Sequence, residues 1–124
     1  MIKIGDKAPP FKLLNDAGET ISLKDFAGKQ VILYFYPKDM TSGCTKQACD
    51  FTEAMPQFKK KKAIVLGISK DSVERHVKFK EKYGLNFQLL SDPEGTTCQN
   101  YGVWKEKSLY GRKYMGIERT TFVI

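Results

Sequence analysis

The sequence is poor in the features that would carry it into a membrane or commit it to a metal. No run among its 124 residues reaches the roughly 18 apolar side chains that a bilayer-spanning helix needs. Its opening, Met1-Ile-Lys-Ile-Gly-Asp6, has no apolar h-region, so no secretory signal is read there. A chain of this kind is expected in the cytoplasm, with no membrane partner. It has one histidine, His76, and three cysteines, none in a Cys-x-x-Cys pair. Together they make the four ligands a structural zinc site takes, but their spacing, one four-residue gap and then distant single residues, is poor for one, so a zinc site is not expected. A thiol–disulfide oxidoreductase acting on proteins places two cysteines two residues apart at a helix start, a spacing also missing here. No internal repeat, linker or low-complexity stretch divides the chain, and residues 1–124 are read as a single domain.

The formal net charge of +7 raises the question of nucleic acid. Much of the excess comes from scattered lysines and from the run Lys59–Lys62, which closes a helical pattern where cations oppose the negative helix end. No aromatic residues interleave with it. A solvated helix end is the better reading, and no nucleic-acid partner is expected.

Apolar patterning alternates between strand and helix. Phe11–Leu14 and Glu19–Ser22 flank the turn Asn15-Asp16-Ala17-Gly18 and predict an N-terminal hairpin. Leu23–Phe26 predicts a helical turn ending near Gly28. Val31–Tyr36 and Ala63–Ile68 are continuous apolar runs, as strands covered on both faces should be. Ala48, Phe51, Met55 and Phe58 mark a helix from Cys44 to about Lys61, with Pro56 removing one of its hydrogen bonds. Val73, His76, Phe79 and Tyr83 mark a second helix, closed by Gly84. Phe87–Leu90 predicts a short strand, Asp92-Pro93-Glu94 the start of a helix reaching Tyr101, and Arg119–Ile124 a last strand. Together these predict an α/β fold with a central, mostly parallel sheet flanked by helices. The chain stops inside that last strand, which leads us to expect a longer natural protein.

Chemistry concentrates in the stretch from Tyr34 to Cys49. It runs from apolar strand through turn to helix and sets Cys44 at the helix mouth, where backbone N–H groups stabilise a thiolate. Cys49 follows five residues on. In an intact helix, residues at that spacing stand about 140° apart around the axis and roughly 8–9 Å apart at Cα. A disulfide tolerates at most about 7 Å, so the two sulfurs can join only if the first turns unwind. Unwinding at a helix start is cheap, because that turn has few internal hydrogen bonds. The pattern suits a thiol oxidised first to sulfenic acid and resolved afterwards by its neighbour. Thr41 can bring a hydroxyl to the sulfur, and Gly43 lets backbone amides turn toward it. Among many candidate cations, only Arg119 also opens a predicted core strand. Cys98 is read as a structural or partly exposed thiol, and His76 as a hydrogen-bonded core or half-buried histidine. A non-enzymatic redox sensor using the same thiol chemistry remains an open alternative.

Pro37-Lys-Asp-Met-Thr41-Ser-Gly-Cys44 resembles the Pro-x-x-x-Thr-x-x-Cys motif of the peroxiredoxins. Thr-Lys-Gln-Ala-Cys49 is similar to the bacterioferritin comigratory protein, or peroxiredoxin Q, branch. Ala8–Phe11, Phe87–Asp92, Tyr101–Trp104 and Gly116–Phe122 resemble further landmarks of that family. The resemblance implies a thioredoxin-like fold and a thiol peroxidase without metal or organic cofactor. It implies Cys44 as the peroxidatic nucleophile and Cys49 as resolver. Thr41 and Arg119 would hold the peroxide oxygens, and Pro37 would screen the pocket from water. Gln47 would help orient the arginine. Hydrogen peroxide and organic hydroperoxides are the implied substrates, thioredoxin or a similar dithiol the implied reductant, and a monomer the expected state. The family continues past Phe-Val-Ile with a further strand and a helix that this sequence lacks.

Overall fold

A computed structural model describes residues 8–26, 29–39, 41–109 and 111–124. Its elements, in chain order, are β1 (Lys12–Asn15), β2 (Thr20–Ser22), β3 (Gln30–Phe35), α1 (Ser42–Lys60), β4 (Ala63–Ser69), α2 (Val73–Tyr83), β5 (Gln88–Ser91), α3 (Thr96–Asn100), β6 (Trp104–Leu109), β7 (Arg112–Ile117) and β8 (Thr120–Val123). The expected helical turn is a 3-10 turn over Leu23–Phe26, while Gly28, expected to end it, lies outside the described residues.

Six strands form one sheet in the order β2-β1-β5-β4-β3-β8. The sheet is parallel only across β3, β4 and β5. It is antiparallel where β1 meets β2 and β5, and where β8 meets β3, so it is mixed rather than mostly parallel. The reason is connectivity: parallel neighbours need a crossover, which α1 and α2 supply, whereas the hairpin strands and β8 arrive without one.

Strand β3 shows why the sheet is buried on both sides. Ile32, Tyr34 and Tyr36 point into one core with Ala48 and Met55 of α1 and Phe79 of α2. Val31, Leu33 and Phe35 point into the other, with Phe11, Cys98 and Tyr101. Period-two alternation in a wholly apolar run thus feeds two cores rather than a core and a wet face.

Helix α1 runs uninterrupted through Pro56. Proline has no N–H to give the Thr52 carbonyl, its partner four residues back. Asn86 fills the place: its side-chain amide donates to that carbonyl at 3.3 Å. Helix α2 begins where the Ser72 hydroxyl accepts the Arg75 amide at 3.2 Å, and ends on Gly84, whose φ of 60° favours glycine.

One further reading is corrected. Asp92, Pro93 and Glu94 precede α3 instead of opening it. They form a turn in which the Gly95 amide donates to the Asp92 carbonyl at 3.0 Å, and the Asp92 carboxylate accepts the Cys98 amide at 2.9 Å. Cys98 is wholly buried. The hairpin β6–β7, running from Trp104↔Ile117 to Leu109↔Arg112, is absent from the sequence reading. Charged residues occupy both of its faces, so no apolar alternation signals it. Its base is anchored by buried Ile117 and by Trp104, over whose ring Lys70 Nζ sits at 4.2 Å.

Candidate active site

The site forms where β3 ends and α1 begins, with a third contribution from the far end of the chain. Register explains the meeting. β8 pairs with β3 so that Thr120 stands opposite Phe35, which delivers Arg119 to the segment following β3. The Arg119 guanidinium lies over the first turns of α1. Nη2 donates to Cys44 Sγ at 3.3 Å, while Nη1 donates to Gln47 Oε1 at 2.7 Å and to the Gly43 carbonyl at 3.4 Å.

Gly43 takes part differently from its expected role as a turn. It is the second residue of α1, and a Cβ placed there would lie 3.1 Å from Arg119 Nη2. The missing side chain is what admits the guanidinium. Thr41 is the N-cap residue, with φ −78° and ψ 152°. Its hydroxyl gives its hydrogen to the Lys38 carbonyl at 2.9 Å and makes no bond to an α1 amide. The oxygen therefore keeps lone pairs able to accept from another donor. The earliest α1 amides, those of Ser42, Gly43 and Cys44, precede the first intrahelical donor, Thr45, which bonds the Thr41 carbonyl at 2.8 Å.

Cys44 is buried against Tyr34, Tyr36 and Ala48. Burial, with smaller contributions from Asp39 and Cys44, holds the Tyr34 hydroxyl well above the usual tyrosine range. The Tyr34 side chain in that cluster is therefore neutral. Cys49 is half-buried on the same unbroken helix, and both thiols are free. Pro37 is half-buried in the segment between β3 and α1. Pro37, Thr41, Cys44 and Cys49 thus lie on one strand–helix junction that Arg119 joins from across the sheet, whereas Cys98 packs in the opposite core. Burial, ahead of the Asp92 carboxylate, pushes the Cys98 thiol far up. Sequence reasoning does not single out Asp39 or Asp71: one reads as an ordinary turn acid, the other as a cap. The signal available is His76, a polar residue on an apolar helix stripe that needs a buried partner.

Among the described residues, no three His, Cys, Asp or Glu side chains converge as a metal site would require. No described helix is long and apolar enough to cross a membrane.

Residues 4–124 match the AhpC/TSA family, a span that includes every residue of this site. The chain belongs to the AhpC/TSA family. Among its relatives, a putative peroxiredoxin Bcp of Coxiella burnetii is 58% identical over 123 residues, covering 99% of this chain and 82% of the relative. Peroxiredoxin Bcp of Bacillus subtilis is 52% identical over 123 residues, 99% of this chain and 78% of its own. A solved structure of the Xanthomonas campestris bacterioferritin comigratory protein, described with alkyl peroxide reduction activity, is 41% identical. It superposes with a TM-score of 0.87 over 92% of this chain and 73% of the other. The fold is the thioredoxin-like one of these peroxiredoxins, and the bacterioferritin comigratory branch is the one the chain resembles.

Proposed function

We propose that this protein is a thiol-dependent peroxidase that reduces hydrogen peroxide and organic hydroperoxides through Cys44, with Cys49 as resolving thiol. The observation carrying the reading is the Arg119 guanidinium 3.3 Å from Cys44 Sγ at the start of α1. A cation and a helix N-terminus both face this sulfur and the oxygen on which charge develops as the O–O bond breaks. The thiolate attacks one peroxide oxygen. The O–O bond breaks, the remaining oxygen leaves as water or alcohol after taking a proton, and Cys44 becomes a sulfenic acid. Thr41 accepts from the bound peroxide through the lone pairs left free by its bond to the Lys38 carbonyl. Gln47 holds the guanidinium in place, and Pro37 shields the sulfur from water.

The Cys49 thiol then displaces hydroxide from the sulfenic sulfur, forming the disulfide and releasing water. The intact helix keeps these cysteines apart, so the step needs the first turns of α1 to open. A dithiol such as thioredoxin restores both thiols by exchange and is itself left as a disulfide. In this reading the chain works as a single cytoplasmic domain and a monomer, with no cofactor.

Peptide mapping and intact mass after one equivalent of hydrogen peroxide test the assignment. The expected product is a Cys44–Cys49 disulfide, two hydrogens lighter, with Cys98 unmodified. Cys44→Ser is expected to abolish peroxide consumption, and Cys49→Ser to allow one turnover and accumulate oxidised Cys44. Multiple turnover with thioredoxin in Cys49→Ser would overturn the resolver role. An oxidant that leaves both sulfurs untouched would overturn the peroxidase reading.

A further inference from the structure

Beneath the segment that carries Pro37 and Thr41 lies a fully buried polar cluster that the peroxidase scheme does not use. Asp39 and His76 are each 0% exposed. Asp39 Oδ2 lies 2.6 Å from His76 Nδ1, and Oδ1 accepts the Tyr36 hydroxyl at 2.5 Å. The backbone of Asp39 is held as firmly. Its N–H donates to Asp71 Oδ2 at 2.7 Å, and its carbonyl accepts Arg75 Nη2 at 3.2 Å. Every polar group of this residue is therefore engaged, by the end of β3, the β4–α2 junction and α2.

The partners are themselves anchored. Asp71 Oδ2 also accepts the Ser69 hydroxyl at 2.7 Å, Asp71 Oδ1 pairs with Arg75 Nε at 3.2 Å, and the Asp71 carbonyl accepts the Ser91 hydroxyl at 2.6 Å. His76 Nε2 lies 3.0 Å from the Leu90 carbonyl on β5. A carbonyl only accepts, so Nε2 carries a hydrogen. The 2.6 Å contact between His76 Nδ1 and Asp39 Oδ2 holds a further hydrogen between them.

Two ionisable groups taken wholly out of water are weak evidence for stability, since an apolar pair of similar volume often does as well. What such a cluster supplies is a fixed position. We propose that His76, Asp71 and Tyr36 are positioning residues for peroxide reduction, acting through Asp39 to hold Pro37 and Thr41 against Cys44 and Arg119. Asp39 lies two residues before Thr41 and five before Cys44, close enough for any shift of its backbone to reach both. The clamp stops there. Beyond Thr41, α1 is held by its own hydrogen bonds and by Arg119 at Gly43, Cys44 and Gln47, none of which passes through Asp39.

This inference rests on the peroxidase reading. Its test separates the peroxide step from the reductant step in folded protein, well below the melting temperature. His76→Leu removes both ring contacts, His76→Asn keeps a donor toward Asp39, and Tyr36→Phe deletes one hydroxyl from the cluster with little change of shape. Misplacement of reacting groups by about 1 Å costs on the order of 100-fold. The expected result is a roughly 10- to 100-fold lower kcat/KM for hydrogen peroxide in His76→Leu, with substantial rescue in His76→Asn. Tyr36→Phe should show a smaller loss in the same direction, and kcat/KM for thioredoxin should hold in all three. Should His76→Leu fail to fold, Tyr36→Phe and His76→Asn decide between the outcomes. Peroxide kinetics unchanged in the folded variants, or lost equally in both half-reactions, would overturn the positioning role alone. A wild-type chain whose Cys44 does not react with peroxide would overturn the peroxidase reading and this role with it.

Discussion

Replacing Gly43 by alanine should separate reactivity from stability in this protein. Alanine is the better helix residue, favoured over glycine by about 0.8–1 kcal/mol in a helix interior and by less in the first turn. The position is in α1 and has no left-handed φ, so the backbone accepts the change. The new Cβ, however, would lie 3.1 Å from Arg119 Nη2. Ordinary contact distances are about 3.5–4.0 Å, so the guanidinium must retreat by roughly 0.5 Å. Arg119 is exposed and free to do so, and folding loses little. The same retreat weakens the 3.3 Å contact with Cys44 Sγ. A hydrogen bond to a charged group contributes about 1.5–3 kcal/mol. With solvent screening of an exposed arginine, a loss of about 1 kcal/mol is the appropriate figure, or roughly fivefold in rate. Gly43→Ala should therefore unfold at the same or slightly higher urea concentration while its single-turnover oxidation by hydrogen peroxide slows about fivefold. A variant that loses stability yet keeps the wild-type oxidation rate would refute the reasoning.

Arg119→Ala removes the guanidinium outright, and its peroxide oxidation rate should fall below that of Gly43→Ala, by about tenfold or more against wild type; stopped-flow single turnover reads this, and a rate equal to wild type would make Arg119 merely structural. Cys98→Ala probes the opposite core. The buried thiol stays protonated in the folded chain, while in the unfolded chain it ionises near pH 8.5. Its contribution to stability is therefore complete below pH 8.5 and is lost as the pH rises further, at up to about 1.4 kcal/mol per pH unit. Urea titrations between about pH 8.5 and 10 should show a shallower alkaline decline in Cys98→Ala than in wild type, and parallel curves would count against it.

The elements legible in the sequence are those whose local signals agree with their burial. Val31–Tyr36 is apolar at every position because both faces of β3 are covered, and Ser72 and Gly84 bracket α2 with the residues that helix ends need. The cysteine pair was equally plain, since its spacing and helix-start setting are local facts. What escaped is what depends on contacts distant in sequence. The β6–β7 hairpin carries charge on both faces, so its pairing leaves no periodic mark. Pro93 looks like the first residue of a helix until the φ of 78° at Gly95 is seen to turn the chain first. Asp39 looks like a turn residue, and only the fold brings His76 to it from 37 positions away. Gly43 reads as a turn residue, because the side chain it makes room for is 76 residues further along.

The proline within α1 bears on how far that helix can come apart. With the rung between residues 52 and 56 missing and its carbonyl tied to Asn86 on a different part of the chain, the ladder is one bond weaker between a front section holding Cys44 and Cys49 and a rear section beginning near Pro56. In the proposed resolving step, the front of this nineteen-residue helix is the section that must unwind, and the section behind Pro56 is the one that need not.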